Sequence, residues 1–198
     1  MTIGFVTGVV LAAGSSRRLG TAKQVLPYRD TTVLGATLDV VRSCALDQII
    51  VTLGGAAEAV RRQVDLTGVE VVMADDFGSG CSSSLRSALS AVHPRAAGIV
   101  LMLGDQPGLS AATVDRLVAE GTTAAPITVC RYRDGVGHPF WLNRSTFGEL
   151  ARLHGDKAVW KLIESGRVAV SRLDVDAPAP LDVDTWDDYE RLRASTLP

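Results

Sequence analysis

Short apolar runs separated by stretches of helical periodicity set the tightest limit on how this chain can fold. The runs fall at residues 8–12, 48–53, 69–74, 98–103, 127–132 and 168–173. Several are apolar without alternation, as expected of strands covered on both faces. The stretches between them carry apolar residues three and four apart. Leu34, Leu38 and Val41 lie in 31–44, and Leu85, Ala88, Leu89 and Val92 in 82–92. Val114, Leu117 and Val118 lie in 111–120, directly after Ser110, a good N-cap residue. Strands alternating with helices predict an α/β fold with a mainly parallel sheet. Residues 131–142 read as two extended segments around Asp134-Gly135-Val136-Gly137, a hairpin. Helices are expected near 145–153, 157–164 and 185–194. With 198 residues and no repeat or linker, residues 1–198 read as one domain.

Composition narrows the function. Apolar residues make up 46% of the chain, enough for a full core, and the formal charge is −2. A chain without basic excess is no general nucleic-acid binder. No apolar run approaches the roughly 18–20 residues that span a bilayer, and residues 1–10 lack the basic start of a signal peptide. The expectation is a cytoplasmic protein with neither nucleic acid nor membrane as partner. Cys44, Cys81 and Cys130 are odd in number and far apart, which supports neither a disulfide framework nor a zinc cluster.

The most informative segment follows the first strand. Leu11, Ala12, Ala13, Gly14, Ser15, Ser16, Arg17, Arg18, Leu19, Gly20 and Lys23 combine small residues, hydroxyls and three cations. In open α/β sheets such a loop lies at the ligand-binding edge. Small residues let the backbone approach a ligand, and successive N–H groups can surround phosphate oxygens. Two other glycine loops are excluded. Gly14 has no glycine two residues on, so G-x-G-x-x-G is absent, and Gly20 is not followed by Lys-Ser/Thr as a P-loop requires.

A second candidate site is the apolar strand ending in Gly104-Asp105-Gln106-Pro107. A carboxylate at that edge, beside a polyphosphate, needs a cation between them. Mg²⁺ fits, since it takes one or two carboxylates together with phosphate oxygens. Asp105 could instead serve only its own turn. A further acidic stretch, Asp182-Val183-Asp184-Thr185, precedes the last helix. Asp184 is favoured as a second ligand with Asp182 behind it, although Asp184 or Thr185 is also an obvious helix cap.

The run L-A-A-G-x-S-x-R-x-G-x-x-K, here Leu11 to Lys23 with Pro27 after it, resembles the signature of the MobA-like nucleotidyltransferases. Gly104-Asp105-Gln106-Pro107 is similar to the form found in their molybdenum cofactor cytidylyltransferase branch, and Ala13 agrees with that branch. The resemblance implies a three-layer Rossmann-like nucleotidyltransferase fold with a small β-hairpin extension. It also implies Mg²⁺-dependent transfer of a nucleoside monophosphate, with CTP as donor and molybdenum-bearing molybdopterin as acceptor. Lys23, Arg18 and Asp105 would act in catalysis. Asp105 and Asp184 would hold the metal, and Ser82, Ser83 and Gly104 would join the first loop in binding nucleotide. Gln106, Pro107, His138 and Asp156 would face the acceptor. A molybdenum hydroxylase is a conceivable recipient of the product. Rival readings are a GTP- or sugar-phosphate-specific enzyme of the same fold and a non-catalytic molybdopterin carrier.

Overall fold

A computed structural model describes residues 4–16, 18–74, 81–155 and 158–195. In chain order its strands are β1 (Phe5–Leu11), β2 (Pro27–Tyr28), β3 (Thr31–Thr32), β4 (Gln48–Leu53) and β5 (Glu70–Met73). Then come β6 (Ala96–Leu103), β7 (Ile127–Tyr132), β8 (Gly135–Asn143) and β9 (Val170–Asp174). The helices are α1 (Val33–Arg42), α2 (Ala57–Gln63), α3 (Cys81–Ala91) and α4 (Ala111–Ala124), followed by α5 (Phe147–Ala151), α6 (Ala158–Glu164) and α7 (Trp186–Ala194).

Seven strands form one sheet in the order β5-β4-β1-β6-β8-β7-β9. Only β8 runs antiparallel to its neighbours. Its direction follows from the two-residue connection to β7, too short for a crossover. Gly135, at φ +146°, supplies a conformation that side chains disfavour. The predicted hairpin is therefore present, and it is built into the main sheet. A separate small hairpin, β2–β3, and the helix α2 carry no signal singled out in the sequence.

Successive residues of the central strands bury on opposite faces, as the uninterrupted apolar runs require. Val10, Val100 and Met102 pack with Leu34 and Leu38 of α1, Val60 of α2 and Leu117 of α4. Val9, Ile99 and Leu101 pack on the other side with Leu85 of α3, Leu150 of α5 and Leu162 of α6. The result is three layers. Each such side chain, fully buried, contributes about 1.5–3 kcal/mol. A smaller cluster of Leu19, Leu26, Tyr28, Val33, Val183, Tyr189 and Leu192 ties the β2–β3 hairpin to α7. The Tyr189 hydroxyl donates to the Pro27 carbonyl at 2.6 Å.

This order creates a switch point. From β1 the chain builds outward through β4 and β5, then returns to place β6 on the other side of β1. Loops leaving the carboxyl ends of β1 and β6 diverge there, and ligands of open α/β sheets bind in that crevice. Among the described residues no helix is long and apolar enough to cross a membrane.

Candidate active site

The two strand ends are held in close register. Gly104 N–H donates to Leu11 O at 2.9 Å, and Ala12 N–H to Thr52 O at 3.1 Å. A Cβ on Gly104 would lie 2.8 Å from the Ala12 Cβ and 3.0 Å from Leu34 Cδ1. Only glycine permits that approach.

Beyond Ala12 the chain leaves the sheet and turns tightly. Ser16 has φ +49°, and its carbonyl accepts from Leu19 N–H (3.1 Å) and Gly20 N–H (3.2 Å). Its hydroxyl accepts from the Lys23 N–H at 3.0 Å. The turn brings Lys23 back towards the crevice. Among the described residues the N–H groups of Ala13, Gly14 and Ser15 donate to nothing within the protein. Unpaired successive N–H groups beside a cation make an anion cradle.

The acidic side is assembled from two distant segments. Asp105 directly follows the Gly104 contact, and its carbonyl accepts from Val183 N–H at 3.2 Å. Val183 is fully buried in the third cluster, which anchors the strip carrying Asp182 and Asp184. Thr185 caps α7: its hydroxyl accepts from Asp188 N–H, and the Asp188 carboxylate accepts from Thr185 N–H. The cap role thus falls to Thr185, and the Asp184 carboxylate turns to cations instead.

Those cations belong to the first loop. The Lys23 ammonium donates to both the Asp105 carboxylate and Asp184 Oδ1, the latter at 2.9 Å, and Arg18 Nη2 reaches Asp184 Oδ2 at 2.7 Å. The side chains of Lys23 and Asp105 are 14% and 16% exposed, so water screens their attraction only weakly. Burial opposes the charge on Lys23, but Asp105 and Asp184 outweigh it and raise its pKa. Partial burial pushes Asp184 upward, yet the hydrogen bond and charge of Lys23, with Arg18 behind, leave its pKa lowered. Asp182 moves the other way. Burial of its carboxyl and the neighbouring Asp105 push it up to about 6, against a hydrogen bond from Gln106. Since Asp182 as a residue is exposed, solvent screens that push.

The remaining predicted residues occupy varied positions. Gln106 is 4% exposed; its side-chain amide donates to Asp182 Oδ1 (2.8 Å) and Pro180 O (3.3 Å), so it braces the acidic strip. Pro107 beside it is buried. Ser82 and Ser83 are buried in the first turn of α3, and the Ser82 hydroxyl has no partner among the described residues. His138 precedes Phe140, which pairs with Leu101, so it lies level with the carboxyl end of β6. It stacks on Phe140 and meets the edge of Trp160, and burial lowers its pKa to about 4. A neutral imidazole can offer a ligand a hydrogen bond but no charge. Asp156 lies outside the described residues, as do Arg17 and most of the glycine-serine loop before α3.

Two contributors, Gln24 and Val183, escaped the sequence reading, whereas Thr185 takes the cap role the sequence offered for it. Gln24, 2% exposed, donates through Nε2 to Ala12 O (2.7 Å) and Gly14 O (3.0 Å). Val183 and Thr185 place Asp184. The one available hint for Gln24 was a polar residue, next to Lys23, at the start of a buried apolar stretch.

The carboxylates fit a hard divalent ion: oxygens of Asp105 and Asp184 already converge on a single cation, the Lys23 ammonium. Among the described residues no three His, Cys, Asp or Glu side chains surround one metal position. Two carboxylates suit an ion that draws its other ligands from phosphate and water.

A donor-rich cationic loop facing paired carboxylates, at the switch point of a three-layer α/β sheet, defines a nucleotide-handling α/β protein. The chain belongs to the MobA-like NTP transferase domain family, which it matches over residues 8–172. Among solved structures it is similar to Rv0371c of Mycobacterium tuberculosis, at 64% identity and TM-score 0.91, covering 98% of this chain and all of that one. A manganese complex of Rv0371c aligns at 61% identity and TM-score 0.89, over 98% of this chain and 100% of that one. The purine catabolism protein PucB of Bacillus subtilis is 29% identical over 96% of both chains. Nicotine blue oxidoreductase of Paenarthrobacter nicotinovorans is 38% identical over 57% of this chain, and the match spans only 55% of that protein.

Proposed function

We propose that this protein transfers a nucleoside monophosphate from a nucleoside triphosphate, with CTP preferred, to the phosphate of molybdenum-bearing molybdopterin, releasing pyrophosphate. The observation that carries the reading is the Lys23 ammonium between Asp105 and Asp184, beside the unpaired N–H groups of residues 13–15. A triphosphate is the ligand whose charge pattern suits both halves: anionic oxygens for the loop, and a bridging cation for the carboxylates.

An acceptor phosphate oxygen attacks the α-phosphorus in line; the new O–P bond forms as the bond to the β-phosphate oxygen breaks. Positioning and charge neutralisation carry such a step, and no protein nucleophile is required. The N–H groups of Ala13, Gly14 and Ser15 would hold phosphate oxygens. Lys23 and Arg18 would exchange their carboxylate contacts for the α-phosphate and the departing pyrophosphate. Asp105 and Asp184 would hold Mg²⁺ or Mn²⁺, which supplies charge neutralisation at the phosphates. The manganese complex of Rv0371c supports a divalent ion as the metal.

The cytidylyl preference and the acceptor rest on Ala13 and Gly104-Asp105-Gln106-Pro107. The test is pyrophosphate release from CTP, GTP, ATP and UTP with molybdenum-bearing molybdopterin and with sugar phosphates. Release confined to CTP with the pterin supports the proposal. GTP or sugar-phosphate turnover replaces the substrate, and tight pterin binding without release replaces transfer with carriage. Similarity to nicotine blue oxidoreductase adds one control, turnover of nicotine blue, for which the expected rate is zero.

A further inference from the structure

Gln24 takes no part in the chemistry above, yet it is almost fully buried beneath the loop that does. Its Nε2 is shared between two carbonyls of that loop, Ala12 O at 2.7 Å and Gly14 O at 3.0 Å. Both peptides following these carbonyls are trans. In a trans peptide the C=O and the next N–H point in opposite directions. Pulling the Ala12 carbonyl inward therefore turns the Ala13 N–H outward, and the Gly14 carbonyl does the same for the Ser15 N–H. These are two of the three N–H groups that donate to nothing else. The Gln24 Oε1 is buried with no partner among the described residues, so the two bonds to the loop carbonyls are what offsets the burial of this amide. Only the loop gains from its position.

From this we infer that Gln24 is a positioning residue. Its side-chain amide fixes two peptide planes of the first loop so that the Ala13 and Ser15 amides converge on a phosphate group of the triphosphate. The inference rests on the nucleotidyltransferase reading and gives that reading its anion-binding geometry. Apolar residues of the same length at position 24 would fill the space but free both carbonyls to rotate. The cradle would then have to be ordered by each arriving ligand, and binding would weaken with little change in the chemical step.

Inorganic tripolyphosphate is the direct probe, titrated calorimetrically with Mg²⁺ into wild type, Gln24→Met and Lys23→Met. The expected result is a loss of about ten- to a hundredfold in affinity for Gln24→Met, as for one or two charge-assisted hydrogen bonds. In turnover, KM for the triphosphate should rise while kcat changes little, a split that general loosening of the fold would not produce. Wild-type affinity in Gln24→Met, with Lys23→Met weakened, overturns the positioning role and leaves the enzyme reading standing. No binding by wild type overturns the enzyme reading itself. A wild-type NMR experiment guards against a variant that fails to fold. Slow exchange of the Gln24 side-chain amide protons, with Ala13 and Ser15 amide shifts on adding tripolyphosphate, supports the inference. Rapid exchange, or unmoved amides in the presence of bound tripolyphosphate, refutes it.

Discussion

Replacing Lys23 by methionine keeps an unbranched chain one atom shorter and removes the charge that holds Asp105 and Asp184 together. Breaking a fully buried ion pair by deleting one partner costs about 3–5 kcal/mol. Here Asp184 is 41% exposed and retains Arg18, so solvent and a second cation absorb part of the loss. A cost of about 1–2 kcal/mol remains. For a domain of this size that lowers Tm by about 2–8 °C. Turnover should fall further than stability, by about 10²- to 10³-fold, as when one preorganised donor is removed from a transition state. The two effects separate on adding Mn²⁺. A divalent ion replaces the missing charge between the carboxylates, so saturating Mn²⁺ should return Tm of Lys23→Met to the wild-type value without restoring turnover. The assay is a thermal melt with and without Mn²⁺, paired with pyrophosphate release. Unimpaired turnover, or a Tm deficit that Mn²⁺ leaves untouched, would show that Lys23 does not hold this pair for catalysis.

Asp105→Asn should abolish metal-dependent turnover and weaken Mn²⁺ binding at least tenfold by paramagnetic resonance titration, since one of the two carboxylates that converge on Lys23 is lost. Gly104→Val would drive its Cβ into Ala12 and Leu34; overpacking of this kind costs about 1–3 kcal/mol, and nucleotide affinity should fall with Tm. His138 and Asp182 predict opposite pH responses, measured as Tm under chelation. His138 titrates at about 4 when folded against 6.5 unfolded, so the unfolded state takes up protons first and stability falls as pH drops through that window. His138→Gln should remove this acid loss. Asp182 titrates at about 6 against 3.8, so stability instead falls as pH rises from about 4 to 6, and Asp182→Asn should flatten that slope.

Much of the candidate site could be read from residue order because it is local. The small-residue loop ends at Lys23, and Asp105 closes an apolar strand whose burial on both faces is plain from Ile99 to Met102. The fold class followed from the same alternation. What stayed hidden depends on contacts between distant segments. Choosing Thr185 over Asp184 as the helix cap needed the reciprocal bonds of Thr185 with Asp188, and placing the Asp184 carboxylate needed Val183 buried against the β2–β3 hairpin. That hairpin has two-residue strands, too short to leave a periodic signal. The β7–β8 hairpin was visible from its glycines, but its place inside the sheet depends on β8 pairing with β6, a contact that no local pattern encodes. Gln24 looks like any polar residue until its two carbonyl partners are seen.

The most direct measurement is phosphorus relaxation in CTP bound to the protein with Mn²⁺ in place of Mg²⁺. If the loop of residues 11–23 and the carboxylates of Asp105 and Asp184 grip one metal-triphosphate, the bound phosphates relax as directly coordinated ligands do, and Asp105→Asn removes the effect. Phosphates that relax as though far from the ion, or an unchanged effect in Asp105→Asn, would mean that metal and nucleotide occupy different places on the molecule.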